Sequence, residues 1–310
     1  MMNNVYDALN QQTQSKKNNS VPAHQPRMSK QEYAKYMKDK RTSLFHMANE
    51  ETMKVVSSPE SFLHFLEMQA KMDYTVTNTL LIMAQYPEAT LLKDFSHWQE
   101  SKASIVKGSK GIEILEPSGE YTRRDGSIGI SYNPKTVFDV SQILNGERFI
   151  EHPPQYTSNE LVSAIICKTD IKPEVVAQDS KLPSDVFFDE QSQTVFVKEG
   201  QQPFNMINGL LREYAYVECY QQGQSRNNAS FVAESAAYLL SKKYHLENYD
   251  TSFSQGCMNY FNDMEQFTTK KELESIKSIS SQINERIEHG LYALQQARQD
   301  KKVERNTYTR

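Results

Sequence analysis

Residues 210–219 read LLREYAYVEC, and one glutamate sits in a frame where glutamates do chemistry. In the frame H-E-x-x-H, two imidazoles four residues apart share one helix face and converge on a zinc ion. The glutamate between them takes a proton from the metal-bound water. Here the two flanking positions are Arg212 and Tyr216, and only the acid, Glu213, is kept. Arginine is always protonated and cannot ligate zinc, and tyrosine is a poor substitute for histidine. Without the metal, Glu213 has no activated water to work on.

Other residues nearby are candidates for a rebuilt site. Glu218 and Cys219 follow Tyr216 by two and three positions and turn away from the 212/216 face at about 100° per residue. His245 lies far down the next helix. A second acid, Glu234, stands on that following helix, in AESAAYLL. If Glu213 and Glu234 converge, their charges repel. A guanidinium at Arg212, bidentate to one of them, would serve as a fixed cation and a structural staple. The plainer reading of Glu213 is a surface or salt-bridged glutamate.

The elements that must position these residues follow from periodicity. DVFFDEQSQTVFVKEG, ending at Gly200, reads as two strands around a polar turn, and Pro203 opens the helix that carries Arg212. SFVAESAAYLLSKKYH reads as a second amphipathic helix, with Ser230 as its cap, and a helix near NELVSAIICKT precedes the strands. Further on, GCMNYFNDM and the run from Lys270 to Gln299 are helical. Upstream, helical spacing begins near Ser29. Ser58 and Pro59 open a helix with an apolar face of Phe62, Leu63, Phe65, Leu66 and Met68. TVTNTLLIMAQY forms a largely buried helix ending at Pro87. After DFSHWQE the period changes to two: GIEIL, SIGISY and TVFDV read as strands, with an Asp-Gly hairpin turn in RRDGS.

Composition bounds the classes. The chain has 310 residues, 38% of them hydrophobic, and a formal charge of -4. Residues 1–45 hold eight Lys/Arg against three Asp/Glu, so any nucleic-acid surface has to be local. Three widely spaced cysteines, Cys167, Cys219 and Cys257, argue against a disulfide framework and fit a reducing compartment. No apolar run reaches the roughly 18 residues of a membrane span, and the N-terminus lacks the apolar core of a secretion signal. These features imply a cytoplasmic protein without a membrane partner.

Residues 74–117 carry a resemblance. Tyr74, Asn78, Leu80, Leu81, Ile82, Ala84, Gln85, Pro87, Ala89, Thr90, Trp98, Val106, Lys107, Gly108, Lys110, Gly111 and Ile112 match the pattern of the ArdC family of plasmid antirestriction proteins and its LtrC-like relatives. VFDVSQ (residues 137–142) matches the block that closes that family's first domain. ELESIKSISSQINERI is similar to the helix that ends LtrC-like proteins. The resemblance covers roughly residues 30–295. It implies an α+β fold: a helical N-terminal part with a small antiparallel sheet, then a mainly helical zincin-like domain with a short strand pair. Four segments are expected: a disordered polar arm at 1–29, an ArdC-like single-stranded-DNA-binding domain at 30–150, a degenerate zincin-like metallopeptidase domain with a C-terminal helix at 151–298, and a frayed tail at 299–310.

Carried over residue by residue, the family's first histidine falls on Arg212, its general-base glutamate on Glu213, its second histidine on Tyr216 and its acidic ligand on Glu234. Zinc is expected in the family. With two of three ligands replaced, the resemblance implies a vestigial Glu213, no catalytic residue, no bound metal and a pseudo-metallopeptidase. The DNA-binding residues implied are Lys102, Lys107, Lys110, Arg123, Arg124, Tyr74 and Trp98, with His97, Tyr121 and Tyr132 close in sequence. Cations hold phosphates while aromatic faces stack bases, without a base code. Trp98, the only tryptophan, serves as well as a core anchor. Asn78 and Gln85, on an apolar helix, are expected to bond loop backbone internally. The function implied is single-stranded DNA binding in an accessory protein of a mobile genetic element, in conjugation or antirestriction. Two alternatives stay open: an active metallopeptidase with unorthodox ligands, and an interaction module that holds a protein partner in the former peptidase cleft.

Overall fold

The structure, a computed structural model, describes residues 28–150 and 154–308, with side chains described as far as Arg298. The polar arm expected at 1–29 lies, except for its last two residues, outside the described residues. The chain forms two compact units, one ending at Lys40 and one spanning Arg41–Arg310. The first unit contains the opening turns of helix α1 (Lys30–Val55), where Ser29 and Glu32 cap each other reciprocally at 2.8 and 3.2 Å.

The second unit is α+β. Helix α2 (Pro59–Lys71) starts where the Ser58 hydroxyl accepts from the Ser61 amide at 3.1 Å and Pro59 takes the first helical position. Helix α3 (Val76–Gln85) is capped by Thr75 and buries Leu80, Leu81, Ile82 and Met83. Strand β1 (Leu92–Asp94) leads into α4 (Phe95–Glu100), with Asp94 as its cap. Strands β2 (Ile112–Thr122) and β3 (Ile128–Asp139) then form a long antiparallel hairpin with a register shift between Pro117 and Gly119. Sheet order is β1-β3-β2, so β2 is an edge. Short 3₁₀ turns at Val140–Gln142 and Gly146–Phe149 follow.

Helix α5 (Ser158–Ile165) opens with a Thr157/Glu160 capping box. The strand pair read from the sequence is present as β5 (Val186–Asp189) and β6 (Thr194–Lys198), and a third strand, β4 (Pro173–Val176), adds to it. The order is β4-β6-β5, with β4 parallel and β5 antiparallel to β6, so β5 is an edge. Helix α6 (Pro203–Gln221) packs on β5 and on α7 (Arg226–Lys243), which packs in turn on α2; α8 (Cys257–Phe261) and α9 (Gln266–Tyr308) follow. The structure differs from the sequence reading in three places: SIGISY and TVFDV form the single strand β3 rather than two strands, and two helix boundaries move. Helix α7 starts at Arg226 after Ser225, which places Ser230 inside the helix rather than at its cap. Helix α9 continues to Tyr308, past residue 299.

One apolar core runs from Leu44 to Leu291 and draws on elements either side of residue 150. Phe62 of α2 stacks on Phe231 of α7 at 5.2 Å, and the Tyr238 hydroxyl donates to Glu67 at 2.6 Å. A smaller cluster of Trp98, Ala103, Val140 and Ile143 lies under β1 and the 3₁₀ turns. Among the described residues, no helix is long and apolar enough to cross a membrane.

Candidate functional site

The position of Glu213 depends first on a glycine. A Cβ at Gly209 would lie 2.6 Å from Val186 Cγ2, so only glycine lets α6 approach β5 this closely. One turn further along α6, Arg212 and Glu213 meet the outer edge of β5, which has β6 on one side only. There the Phe188 amide donates to Glu213 Oε2 at 2.9 Å. The Phe188 carbonyl accepts from Arg226 Nη2 at 2.8 Å, and the Val186 carbonyl from Arg212 Nη2 at 3.2 Å. These edge groups would otherwise be open to solvent or another chain.

The carboxylate itself is held from both sides. Arg212 Nε donates to Glu213 Oε1 at 3.1 Å, and Arg226 Nη2 to Oε2 at 3.0 Å. Glu213 is 1% exposed. Arg226 lies between two rings, 4.0 Å from the centroid of Tyr216 and 4.5 Å from that of Phe187. Tyr216 turns its hydroxyl away from the helix frame and donates to Glu190. Burial, then the Glu190 carboxylate, push that phenol above the usual tyrosine range. Both oxygens of Glu213 are thus engaged in a buried pairing of one acid with two arginines.

Glu234 approaches the same place without joining it as closely. Its Oε1 lies 3.9 Å from Arg212 Nε, and its Oε2 accepts from the Tyr249 hydroxyl at 2.8 Å. Burial raises its carboxyl, with the Glu213 and Asp250 carboxylates adding, against the Tyr249 bond and the Arg212 charge. Burial opposes the charge of Arg212 in turn, but Glu213 and Glu234 outweigh it and hold the guanidinium firmly protonated. The expected staple is therefore present with a different geometry. Arg212 is not bidentate to one acid; it divides its donors between Glu213 and the β5 backbone.

This donor set does not fit a divalent metal. A permanently charged guanidinium occupies the point between the two acids, a second one faces Glu213, and the phenol of Tyr216 points elsewhere. Among the described residues, no group of three His, Cys, Asp or Glu side chains is placed to hold a metal ion. The alternative ligands are also committed. Cys219 is buried, which pushes its thiol up to about 11, so it does not present a thiolate. Glu218 pairs with Arg286, and His245 lies two residues past the end of α7, outside any group of three potential ligands among the described residues. Beside Arg212 and Glu234 a cavity of about 450 Å³ remains, lined also by Asn208, Tyr249 and Asp250.

The residues read as nucleic-acid contacts separate into three places. Lys102, Lys107 and Lys110 are exposed at the base of the hairpin, where Arg148 joins them by donating to the Lys102 carbonyl at 2.9 Å. Arg123 and Arg124 are exposed at its tip. The eleven residues of β2 set the two groups roughly 35 Å apart at about 3.3 Å per residue. Arg123 is oriented by donating to the Ile128 carbonyl at 2.9 Å, with the half-exposed Tyr121 ring 6.0 Å away. That ring lies across Gly129, where a Cβ would meet it at 2.6 Å. Tyr74 is found elsewhere, partly buried in a cavity against α9.

Trp98 corrects the sequence reading. It is fully buried, its indole N–H donates to the Phe138 carbonyl at 3.0 Å, and Phe149 packs on its ring. An enclosed ring has no face left for a base, so Trp98 anchors the small core under β1. Asn78 and Gln85 are bonded internally as expected, but to a strand. Asn78 exchanges two bonds of 2.9 Å with the Leu115 amide and carbonyl. Gln85 does the same with Glu113 at 3.0 and 2.9 Å, which closes the outer edge of β2. Sequence reasoning missed Arg226, Arg148 and Tyr249. Arg226 was within view, at the start of α7, but its target is formed only when two helices and a strand converge.

No protein-family model matches the chain. An uncharacterized Bacillus anthracis protein, pXO2-81, is 25% identical over 223 residues, or 71% of this chain and 34% of that protein, so the chain spans about a third of its relative's length. Two crystal structures of the antirestriction protein ArdC from the R388 plasmid share the fold at 13% sequence identity. The metal-free one superposes with a TM-score of 0.54 over 79% of this chain and 99% of its own. The Mn(II)-bound one gives 0.52 over 78% and 98%. The chain is therefore ArdC-like in fold, as the residue pattern at 74–112 implies.

Proposed function

We propose that this chain is a cytoplasmic DNA-handling protein of a plasmid-type mobile element, active in conjugation or antirestriction. Residues 30–150 bind single-stranded DNA, and residues 151–298 keep a metallopeptidase-like frame without its chemistry. The observation that carries the second half of this reading is Glu213. A general base must be free to accept a proton from an activated water, whereas this carboxylate is buried between two guanidiniums and a backbone amide. The two fold neighbours are structures of an antirestriction protein from a plasmid, which supports the genetic setting. Exposed cations at both ends of the hairpin, with Tyr121 beside Arg123, support a sequence-independent strand contact.

The test is fluorescence anisotropy of a labelled oligothymidine across a salt series. Binding should weaken with salt, and Lys107→Ala with Lys110→Ala should lower the log–log slope by about 1.4, at about 0.7 per single-strand phosphate contact. Arg123→Ala with Arg124→Ala should do the same. Absence of binding at low salt would end the strand-binding reading.

A further inference from the structure

A cavity of about 570 Å³ lies apart from the Glu213 site and from the hairpin cations, and holds Tyr74 of the residues read as nucleic-acid contacts. It opens between Phe45 of α1, the start of α3, Tyr132 of β3 and the first turns of α9. Its walls are of two kinds. Phe45, Tyr74 and Tyr132 contribute aromatic rings, of which Phe45 and Tyr132 meet edge to face at 6.0 Å and so hold each other in place. Arg41 fixes the strand behind them by donating to the Tyr132 carbonyl at 2.8 Å, and Gln69 fixes Tyr74 through its carbonyl at 2.6 Å.

The opposite wall is charged. Lys277 is taken up by Asp73. Lys270 is half-buried, and among the described residues no carboxylate lies within 4.0 Å of its ammonium. Burial holds that ammonium below the usual lysine range, with Glu274 one turn on opposing only partly. A half-buried cation with no carboxylate in direct contact gains most from an anion brought by a ligand. Opposite it, aromatic rings offer a planar group stacking or edge contact. The volume falls within the roughly 300–1,000 Å³ of small-molecule sites and exceeds what an anion or a lone ring would fill.

We infer that this cavity binds a nucleotide, its base against Tyr74 and Tyr132 and its phosphate at Lys270. Glu274, on the same wall, can accept from a sugar hydroxyl or a base N–H. The nucleotide is either free or one unit of a strand. Only the second source rests on the strand-binding reading.

Isothermal titration of the full chain separates the possibilities, with dTMP, thymidine and inorganic phosphate as probes. The expected result is dTMP binding at least tenfold more tightly than either fragment. Lys270→Met, which breaks no ion pair, should bring dTMP down to the level of thymidine. Tyr132→Ala should weaken dTMP and thymidine alike, and Tyr74→Leu repeats that test if Tyr132→Ala unfolds. Competition by an oligothymidine assigns the seat to a strand, and its absence assigns it to a free nucleotide. Equal binding of dTMP and phosphate, or an unchanged Lys270→Met variant, would overturn the inference. Strand binding that persists while dTMP fails removes this inference alone. The reverse result removes only the strand-binding proposal.

Discussion

Both sheets of this protein end on a strand whose outer backbone groups are closed by helix side chains, from one helix at β2 and from two at β5, and the two closures use different chemistry. At β2, Asn78 and Gln85 of α3 each serve one strand residue, Leu115 and Glu113, through one donor and one acceptor. At β5, Glu213 accepts from the Phe188 amide, while Arg226 and Arg212 donate to the Phe188 and Val186 carbonyls. An amide carries both polarities, so it closes an edge alone and without charge. A carboxylate only accepts. Once buried at an edge it needs separate donors for the carbonyls and counter-charges for itself, and paired guanidiniums supply both. The first edge is a set of independent contacts, and the second is a network whose members depend on one another.

Glu213→Ala leaves two arginines facing each other and the Phe188 amide without a partner, so it should destabilise by about 3–5 kcal/mol in urea unfolding. Glu213→Gln keeps an acceptor and should cost less. Removing Arg226 should cost about 2–3 kcal/mol, from bonds to a charged group and a backbone carbonyl. The Glu213/Arg226 double variant should depart clearly from additivity. An additive result would show the network to be a sum of separate contacts.

Asn78→Ala should cost about 2 kcal/mol, because it strands a buried amide and carbonyl of Leu115. Gln85→Ala, at a partly exposed site, should cost about 1 kcal/mol. The two should add within about 0.5 kcal/mol, since each serves its own strand residue. Strong coupling between them would erase the contrast with β5.

The smallest effect concerns pH. Glu234 has its carboxyl raised above the ordinary value of 4.5, chiefly by burial. The unfolded chain therefore loses this proton first. Its contribution to stability is complete below pH 4.5 and declines as pH rises toward the folded value. Glu234→Gln should remove that decline from urea stabilities measured between pH 4 and 7. An unchanged slope would assign the dependence to other groups.

Much of the fold was legible because its signals are local. The alternation of β2, β3, β5 and β6 and the Ser58–Pro59 start of α2 can be read from neighbouring residues alone. Strand β4 could not, being four residues long and half-exposed, and defined by parallel pairing to β6 about twenty positions away. The start of α7 was misplaced because Ser225 and Ser230 are equally good caps in isolation. At the site, Arg212 and Glu213 could be named from the helix frame, since spacing on one helix fixes which residues share a region, whereas Glu234, on the next helix, was named through the family resemblance. Arg226 could not, because its role arises from stacking on Tyr216 and Phe187 and from the edge of β5. Trp98 shows the opposite limit: residue type fitted a stacking platform, and burial decided against it.

Glu213, clamped by Arg212 and Arg226, closes the edge of β5 with a donor set that does not fit a divalent metal. Urea stability of the full chain, measured with Zn(II) or Mn(II) added and after chelation, tests it most directly. The same stability is expected in all conditions, since a ligand stabilises only a fold that binds it. Stabilisation by one equivalent of either metal, abolished by Glu213→Gln or Glu234→Gln, would contradict it.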